Sequence, residues 1–216
     1  RGEVLAQNPR WCQPLSVWKQ HFSEWIALPE PQPLLEFTIF FDFHPLQGDL
    51  VLARELRRHV FSQLRATPAF LGHLAHNALL FRPPSRLFGR LLGSTDQAGQ
   101  LDLKEGMMPL VNFSRLYALR QEVEANSTLD RLQALAEAGL LPAASAQESA
   151  EAYELLLRLR LQRQIATLAS GQAPDNLVAV RQLGTSEQAL LHQTFAHLAA
   201  LQKRISYDFL GGLGQT

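Results

Sequence analysis

The sequence predicts a mostly α fold, a helical bundle with additional helices. Three observations predict it. Apolar residues recur at three- and four-residue spacing along most of the chain. Proline and glycine collect between those stretches. Two-residue alternation is confined to one short segment, "PLLEFTIFFDFHP".

The elements follow in order. "QPLSVWKQHFSEWIALP" puts Leu15, Trp18, Phe22, Trp25 and Ile26 on one helical face, and Pro29, Pro31 and Pro33 break it. In the next segment Phe37, Ile39, Phe41 and Phe43 alternate as a strand would. Leu34, Phe37 and Phe41, with Leu35 and Ile39, equally suit a buried helix, which is the preferred reading, and Pro45 ends the element either way. Asp49 stands where an N-cap should, before a helix over about residues 50–65, and Pro68 opens another to about residue 81. "RPPSRLFGRLLGSTDQAGQ" reads mostly as loop, and "LDLKEGMMP" as a polar turn before a helix from about Pro109 to about Glu124. "NSTLDRLQALAEAGLL" is a short capped helix stopped by Gly139. The longest element ends at Gly171, with Ala150, Tyr153, Leu157, Leu161, Ile165 and Leu168 expected to face inward. A last helix covers about residues 186–207, and "LGGLGQT" trails off.

Composition limits the function. The 216 residues, 46% apolar and 19% charged, suffice to bury the core of one large domain or two small ones. Twenty basic and twenty acidic side chains cancel, which argues against duplex nucleic acid and against a polybasic membrane contact. A nucleic-acid reading would need a basic face around Arg57, Arg58, Arg86 and Arg90. No apolar run approaches the roughly 20 residues of a membrane span. Cys12 is the single cysteine, so neither an intrachain disulfide nor a multi-cysteine zinc site is available, in keeping with a cytoplasmic setting. The opening "RGEVLAQNPRW" begins no obvious element, and the chain is expected to be part of something longer.

Several side chains could carry chemistry. Asp102 and Lys104 read either as a solvated loop pair or as a phosphate contact, the lysine meeting the anion and the aspartate orienting it. Asp42, flanked by Phe41 and Phe43, needs a partner if it is buried. It reads as a salt-bridged helix-end acid or as a carboxylate at the mouth of a cleft near His44 and Asp49. "GSTDQAGQLDLK" has the Gly-Ser turn of a polymerase-β-type transferase, but Lys104 stands where the second metal-holding carboxylate should be. That excludes it as a catalytic motif. His73 and His76, and His192 and His197, lack an acid at metal-ligand spacing, and no metal site is expected. The "RLRLQRQ" stripe, with Arg160 over Gln164, reads as a hydrated helix face unless it meets the Asp102–Lys104 turn.

Taken together, "NPRWCQPLSVWKQHFSEWI", "IFFDFHPLQGDLVLARELR", "LAHNALLFRPPSRLFGRL", "LDLKEGMMPLVNFSRLYAL" and "LLLRLRLQRQ" followed by "PDN" resemble, in that order, the C-terminal half of a bacterial nucleotidyltransferase family often joined to cyclic-nucleotide-binding and CBS modules. That family is distantly similar to PII uridylyltransferases and glutamine synthetase adenylyltransferases, whose Asp-x-Lys-x-Gly-x-Gly-Gly stretch is matched here at Asp102, Lys104 and Gly106; Met108 and Pro109 replace the glycine pair. The resemblance implies a helical substrate-binding domain over residues 29–216, after the end of a transferase core and its connecting helix over residues 1–28. It implies nucleotidyl transfer from a nucleoside triphosphate, held with Mg2+ by an upstream core domain, to an acceptor expected on a protein. No catalytic residue would lie in this chain, which alone would be inactive. Asp42, His44, Asp49, Asp102, Lys104, Arg115 and Arg160 would line the nucleotide or substrate wall. The alternative is a non-enzymatic regulatory or protein-interaction module in a signal-transduction protein.

Overall fold

The computed structural model describes residues 8–83 and 100–211, and within them eight α-helices and one two-stranded sheet. A 3-10 turn, Pro9–Trp11, precedes α1 (Leu15–Ala27), α2 (Pro31–Phe40), α3 (Leu50–Ala66) and α4 (Ala69–Leu79). Then come β1 (Gln100–Asp102), α5 (Leu103–Arg120), α6 (Thr128–Glu137), α7 (Ala143–Ala169), β2 (Leu177–Ala179) and α8 (Thr185–Leu210). The mostly α fold is as expected. The loop expected over residues 82–100 lies almost wholly outside the described residues, as does most of the trailing segment.

Several boundaries follow from local chemistry. Asp49 caps α3 by accepting from Val51 N at 2.9 Å, and Ser127 caps α6 by accepting from Asp130 N at 3.0 Å. Gly139 ends the latter with φ +70°, a left-handed conformation that glycine adopts without strain. The ambiguous aromatic segment is helical, α2, with Pro31 in its first turn.

Two expectations are corrected. The stretch "LDLKEGMMP" is not a turn. Leu101 and Asp102 end β1, and Leu103 to Pro109 form the first two turns of α5, which starts six residues before Pro109 and carries that proline in its interior. Asp102 makes this possible: its carboxylate accepts from Lys104 N at 2.8 Å and Glu105 N at 3.1 Å. The inward face of α7 is also different from the expected one. Ala146, Ser149, Ala152, Leu155, Leu156 and Leu159 are buried, whereas Leu161, Ile165 and Leu168 are exposed. The buried arc is turned by roughly a third of a turn from the predicted one.

Helix α5 is the axle of the bundle. It packs against α3, α4, α6, α7 and α8, and its own Leu103, Leu110, Phe113 and Ala118 are wholly buried. Burying each large apolar side chain contributes about 1.5–3 kcal/mol. Phe22 of α1, Phe37 of α2, Phe70 of α4 and Phe195 of α8 join the same core. The sheet pairs β1 with β2 antiparallel, Leu101 opposite Val178, and Leu103 N donates to Asn176 O at 2.9 Å, so the connection after α7 is pinned to the start of α5.

Candidate functional site

All the expected site residues except Asp49 fall in two groups, one near each end of α5. At the C-terminal half, Asp42 leaves the turn after α2 and meets two arginines. Arg115 Nη2 of α5 donates to its Oδ2 at 2.6 Å, and Arg131 Nη2 of α6 donates to its Oδ1. Arg131 is 1% exposed and also donates from Nε to Ala125 O at 2.9 Å. A third arginine, Arg57 of α3, donates to Phe43 O and to Asn126 Oδ1, both at 3.0 Å, and lies over the Phe43 ring. Asn126 in turn contacts His44 Nδ1 at 3.2 Å. Burial pushes the Asp42 carboxyl upward, but the guanidiniums of Arg115 and Arg131 outweigh it and hold its pKa below the ordinary carboxylate value. Burial is also the main reason that Arg57 sits below the usual arginine range.

Beside Arg115 is a small hollow of about 20 Å3, bounded by Thr38, Asn77 and Asn112 among others. Arg115 Nε is buried without a partner. The hollow has room for one water-sized ligand and none for a nucleotide.

At the other end of α5, Asp102 is committed to the helix cap. Lys104, the second residue of α5, is exposed, and its ammonium makes no hydrogen bond or ion pair among the described residues. Arg160 of α7 stands nearby through Asn176: its Nε donates to Asn176 Oδ1 at 2.8 Å, and Asn176 O holds the first turn of α5. Arg163 and Asp175 beside them form a two-bonded pair that draws the Asp175 carboxyl down to about 2.

The structure therefore brings Asp42, Arg115 and His44 into one cluster, and Asp102, Lys104 and Arg160 into another. Asp49 joins neither and serves as the exposed cap of α3. The hollow beside Arg115 is lined by none of Asp102, Lys104 and Arg160. The two clusters do share a helix face, because Lys104 and Arg115 are 11 residues apart, three turns and about 16 Å along one side of α5. Met108 and Asn112, both half-buried, lie between them on that side. Arg57, Arg131, Asn126 and Asn176 are not among the residues expected to line the site. A signal was present for the two arginines: each occupies an apolar register, Arg57 among Leu56, Val60, Phe61 and Leu64, and Arg131 among Thr128, Leu132 and Leu135. A basic face around Arg57 is not available, because that guanidinium is buried and bonded within the fold; Arg86 and Arg90 lie outside the described residues.

The carboxylates do not form a metal clamp. Asp42 is occupied by two guanidiniums and Asp102 by backbone N–H groups, and among the described residues no three His, Cys, Asp or Glu side chains gather as ligands would. No described helix is long and apolar enough to cross a membrane.

Comparison with known proteins bears on this geometry. Residues 68–209 match a family model described as "putative nucleotidyltransferase substrate binding domain", and residues 1–32 match one described as a "putative nucleotidyltransferase". Neither the curated proteins nor the solved structures gave a match. The first model spans α4 to α8, and with them the α5 axle, Arg131 and Asn176, whereas Asp42 and Arg57 precede it. The chain belongs to the nucleotidyltransferase substrate-binding domain family.

Proposed function

We propose that this chain supplies the helical wall of a nucleotidyltransferase, the side of α5 from Lys104 to Arg115 facing a triphosphate that a separate transferase core grips. The observation that carries the reading is Lys104. Its ammonium is exposed and has no partner among the described residues, and it lies on the same side of α5 as Arg115, whose guanidinium is held in place by Asp42. A lysine with no protein partner keeps its full charge for an anion. The roughly 16 Å between the two is of the order of an extended nucleotide's length, and the small hollow at Arg115 means the ligand lies along the helix rather than inside the bundle.

In this reading Asp102 fixes the turn that projects Lys104, and Arg160 with Asn176 braces it from α7. His44 and Asp49 lie at the margin. Residues 1–28 are the end of the core and its connecting helix, and residues 29–216 the helical domain. Mg2+ belongs to the core, since the carboxylates here are otherwise engaged. The acceptor hydroxyl, on a protein side chain, gives up its proton to a base of the core and forms the new oxygen–phosphorus bond at the α-phosphate as the bond to pyrophosphate breaks. The groups that drive this step belong to the core, so the chain alone transfers nothing.

Calorimetric titration of the chain with the Mg2+ salts of ATP, GTP, CTP and UTP tests the reading. Micromolar binding of at least one, weakened about tenfold by Lys104→Ala with an unchanged unfolding midpoint, supports it. Silence for all four, or indifference to Lys104→Ala, overturns the nucleotide wall. Incorporation of labelled nucleotide by the chain alone would place the active site here instead.

A second reading, a protein-interaction module, has its own observation in an open groove between α7 and α8.

A further inference from the structure

Helices α7 and α8 are joined at a polar contact. Ser149 Oγ lies 2.8 Å from His197 Nε2, and His197 Nδ1 lies 3.1 Å from Glu148 Oε2. The order serine, histidine, carboxylate is that of a hydrolase triad. Ser149, however, is wholly buried on the inner face of α7, so its hydroxyl cannot meet a substrate, and the three side chains act as a clamp between helices.

Beyond the clamp, a groove of about 1110 Å3 lies between the two helices. One part of it is apolar, with Leu161, Ile165 and Leu190 exposed by 49%, 64% and 45%. The part near the clamp carries Glu148, Glu151 and Glu154, and among the described residues Arg158 is the single guanidinium lining the groove. His197 does not offset these acids near neutral pH, because burial lowers its pKa against the opposing pull of Glu148.

Glu151, Glu154, Arg158, Leu161 and Ile165 follow one another at spacings of three and four, so they form one stripe along α7. The stripe is polarised, acidic at its N-terminal half and apolar at its C-terminal half. A second copy of this chain matches it poorly. An antiparallel pairing of two such stripes sets carboxylates on leucine and isoleucine, and a parallel one sets carboxylates on carboxylates. What fits is a stripe of the opposite polarity.

We propose that the α7–α8 groove receives an amphipathic helix of a partner polypeptide, apolar along one face and bearing lysine or arginine at the end that meets Glu148, Glu151 and Glu154. Glu151 to Ile165 spans about 21 Å, four turns of helix, and a helix laid in such a groove is read through residues three and four apart. The inference does not rest on the nucleotide wall, which uses α5.

The probe is a fluorescein-labelled synthetic peptide of about 18 residues, with a leucine stripe at helical spacing and lysines clustered at one end, titrated into the whole chain by anisotropy. Saturable one-to-one binding is expected. It should weaken by about tenfold or more in Ile165→Glu and in the double variant Glu151→Lys with Glu154→Lys. These positions are exposed, so circular dichroism melts should match the parent. A peptide with glutamate in place of lysine should bind at least about tenfold more weakly, and Lys104→Ala should leave peptide binding unchanged. No binding, binding that survives Ile165→Glu, equal affinity for the acidic peptide, or a dimer in sedimentation that Ile165→Glu abolishes would each overturn the proposal.

Discussion

Arg115 Nη2 donates to Asp42 Oδ2 at 2.6 Å, and that bond ties the turn after α2 to the middle of the central helix. With Arg131 on the other carboxylate oxygen, one acid joins three parts of the chain that are 73 and 89 residues away in sequence. Long-range polar contacts of this kind hold a fold in register only while each partner is present. Removing the acid strands Arg131, which is 1% exposed, without a counter-charge. Asp42→Ala should therefore lower stability by about 3 kcal/mol, measured as a shift in the urea unfolding midpoint with an unchanged slope.

The same carboxylate gives a pH signature. Its folded pKa lies below the unfolded value of 3.8. A depressed acid contributes stability that is whole above the unfolded pKa and lost as pH falls through the folded one. Stability of the parent should thus decline below about pH 4 more steeply than that of Asp42→Asn, when both are unfolded in urea over a pH series. Parallel curves would show that the two guanidiniums do not perturb Asp42.

Much of the fold was legible because its signals are local. Asp49 before α3, and Ser127 and Gly139 around α6, are cap chemistry that acts within three residues. The start of α5 is masked in the sequence although Asp102 and Glu105 have the spacing of a helix start, because proline is commonest in a first turn and Pro109 draws the boundary to itself. The inward face of α7 is masked for a different reason. This helix has two apolar faces, and the one that enters the core is rich in small residues, Ala146, Ser149 and Ala152, which allow close approach but contribute little to a hydrophobic pattern. In the candidate site, Asp42 needed a partner and the sequence said so. Which arginines answer depends on tertiary packing across three helices, and no local spacing encodes it.

The orientation of α7 can be checked by paired substitutions. Leu159 is 3% exposed and Ile165 is 64% exposed. Leu159→Ala should cost about 2–5 kcal/mol, whereas Ile165→Ser should stay within about 0.5 kcal/mol of the parent. Thermal melts followed at 222 nm separate the two outcomes, and the reverse order would restore the inward face that periodicity alone suggests.

Gly106 offers a test of how α5 meets α8. A Cβ there would stand 3.3 Å from both Cε1 and Cζ of the Phe195 ring, which is wholly buried. Alanine gains up to about 1 kcal/mol in helix propensity, but pressing on a fixed ring costs about 1–3 kcal/mol. Gly106→Ala should accordingly be destabilising by about 1 kcal/mol net. A stabilised variant would mean that the two helices can part. In this fold the glycine that matches the nucleotidyltransferase pattern serves close helix packing, since α5 is already regular at that position.

His197 makes the final prediction. Burial lowers its pKa below 6.5, and Glu148 only partly offsets this. Between the folded and unfolded values the unfolded chain binds the extra proton, so protonation favours unfolding. Stability should fall as pH drops from about 6.5 toward the folded pKa, and the part of that slope due to this site should vanish in His197→Gln. The glutamine keeps a donor and an acceptor between Ser149 and Glu148, so the clamp survives the substitution. If the parent and His197→Gln show the same slope between about pH 7 and pH 5 in urea unfolding, the clamp histidine does not sense pH, and the acidity of the groove next to it is independent of protonation at this residue.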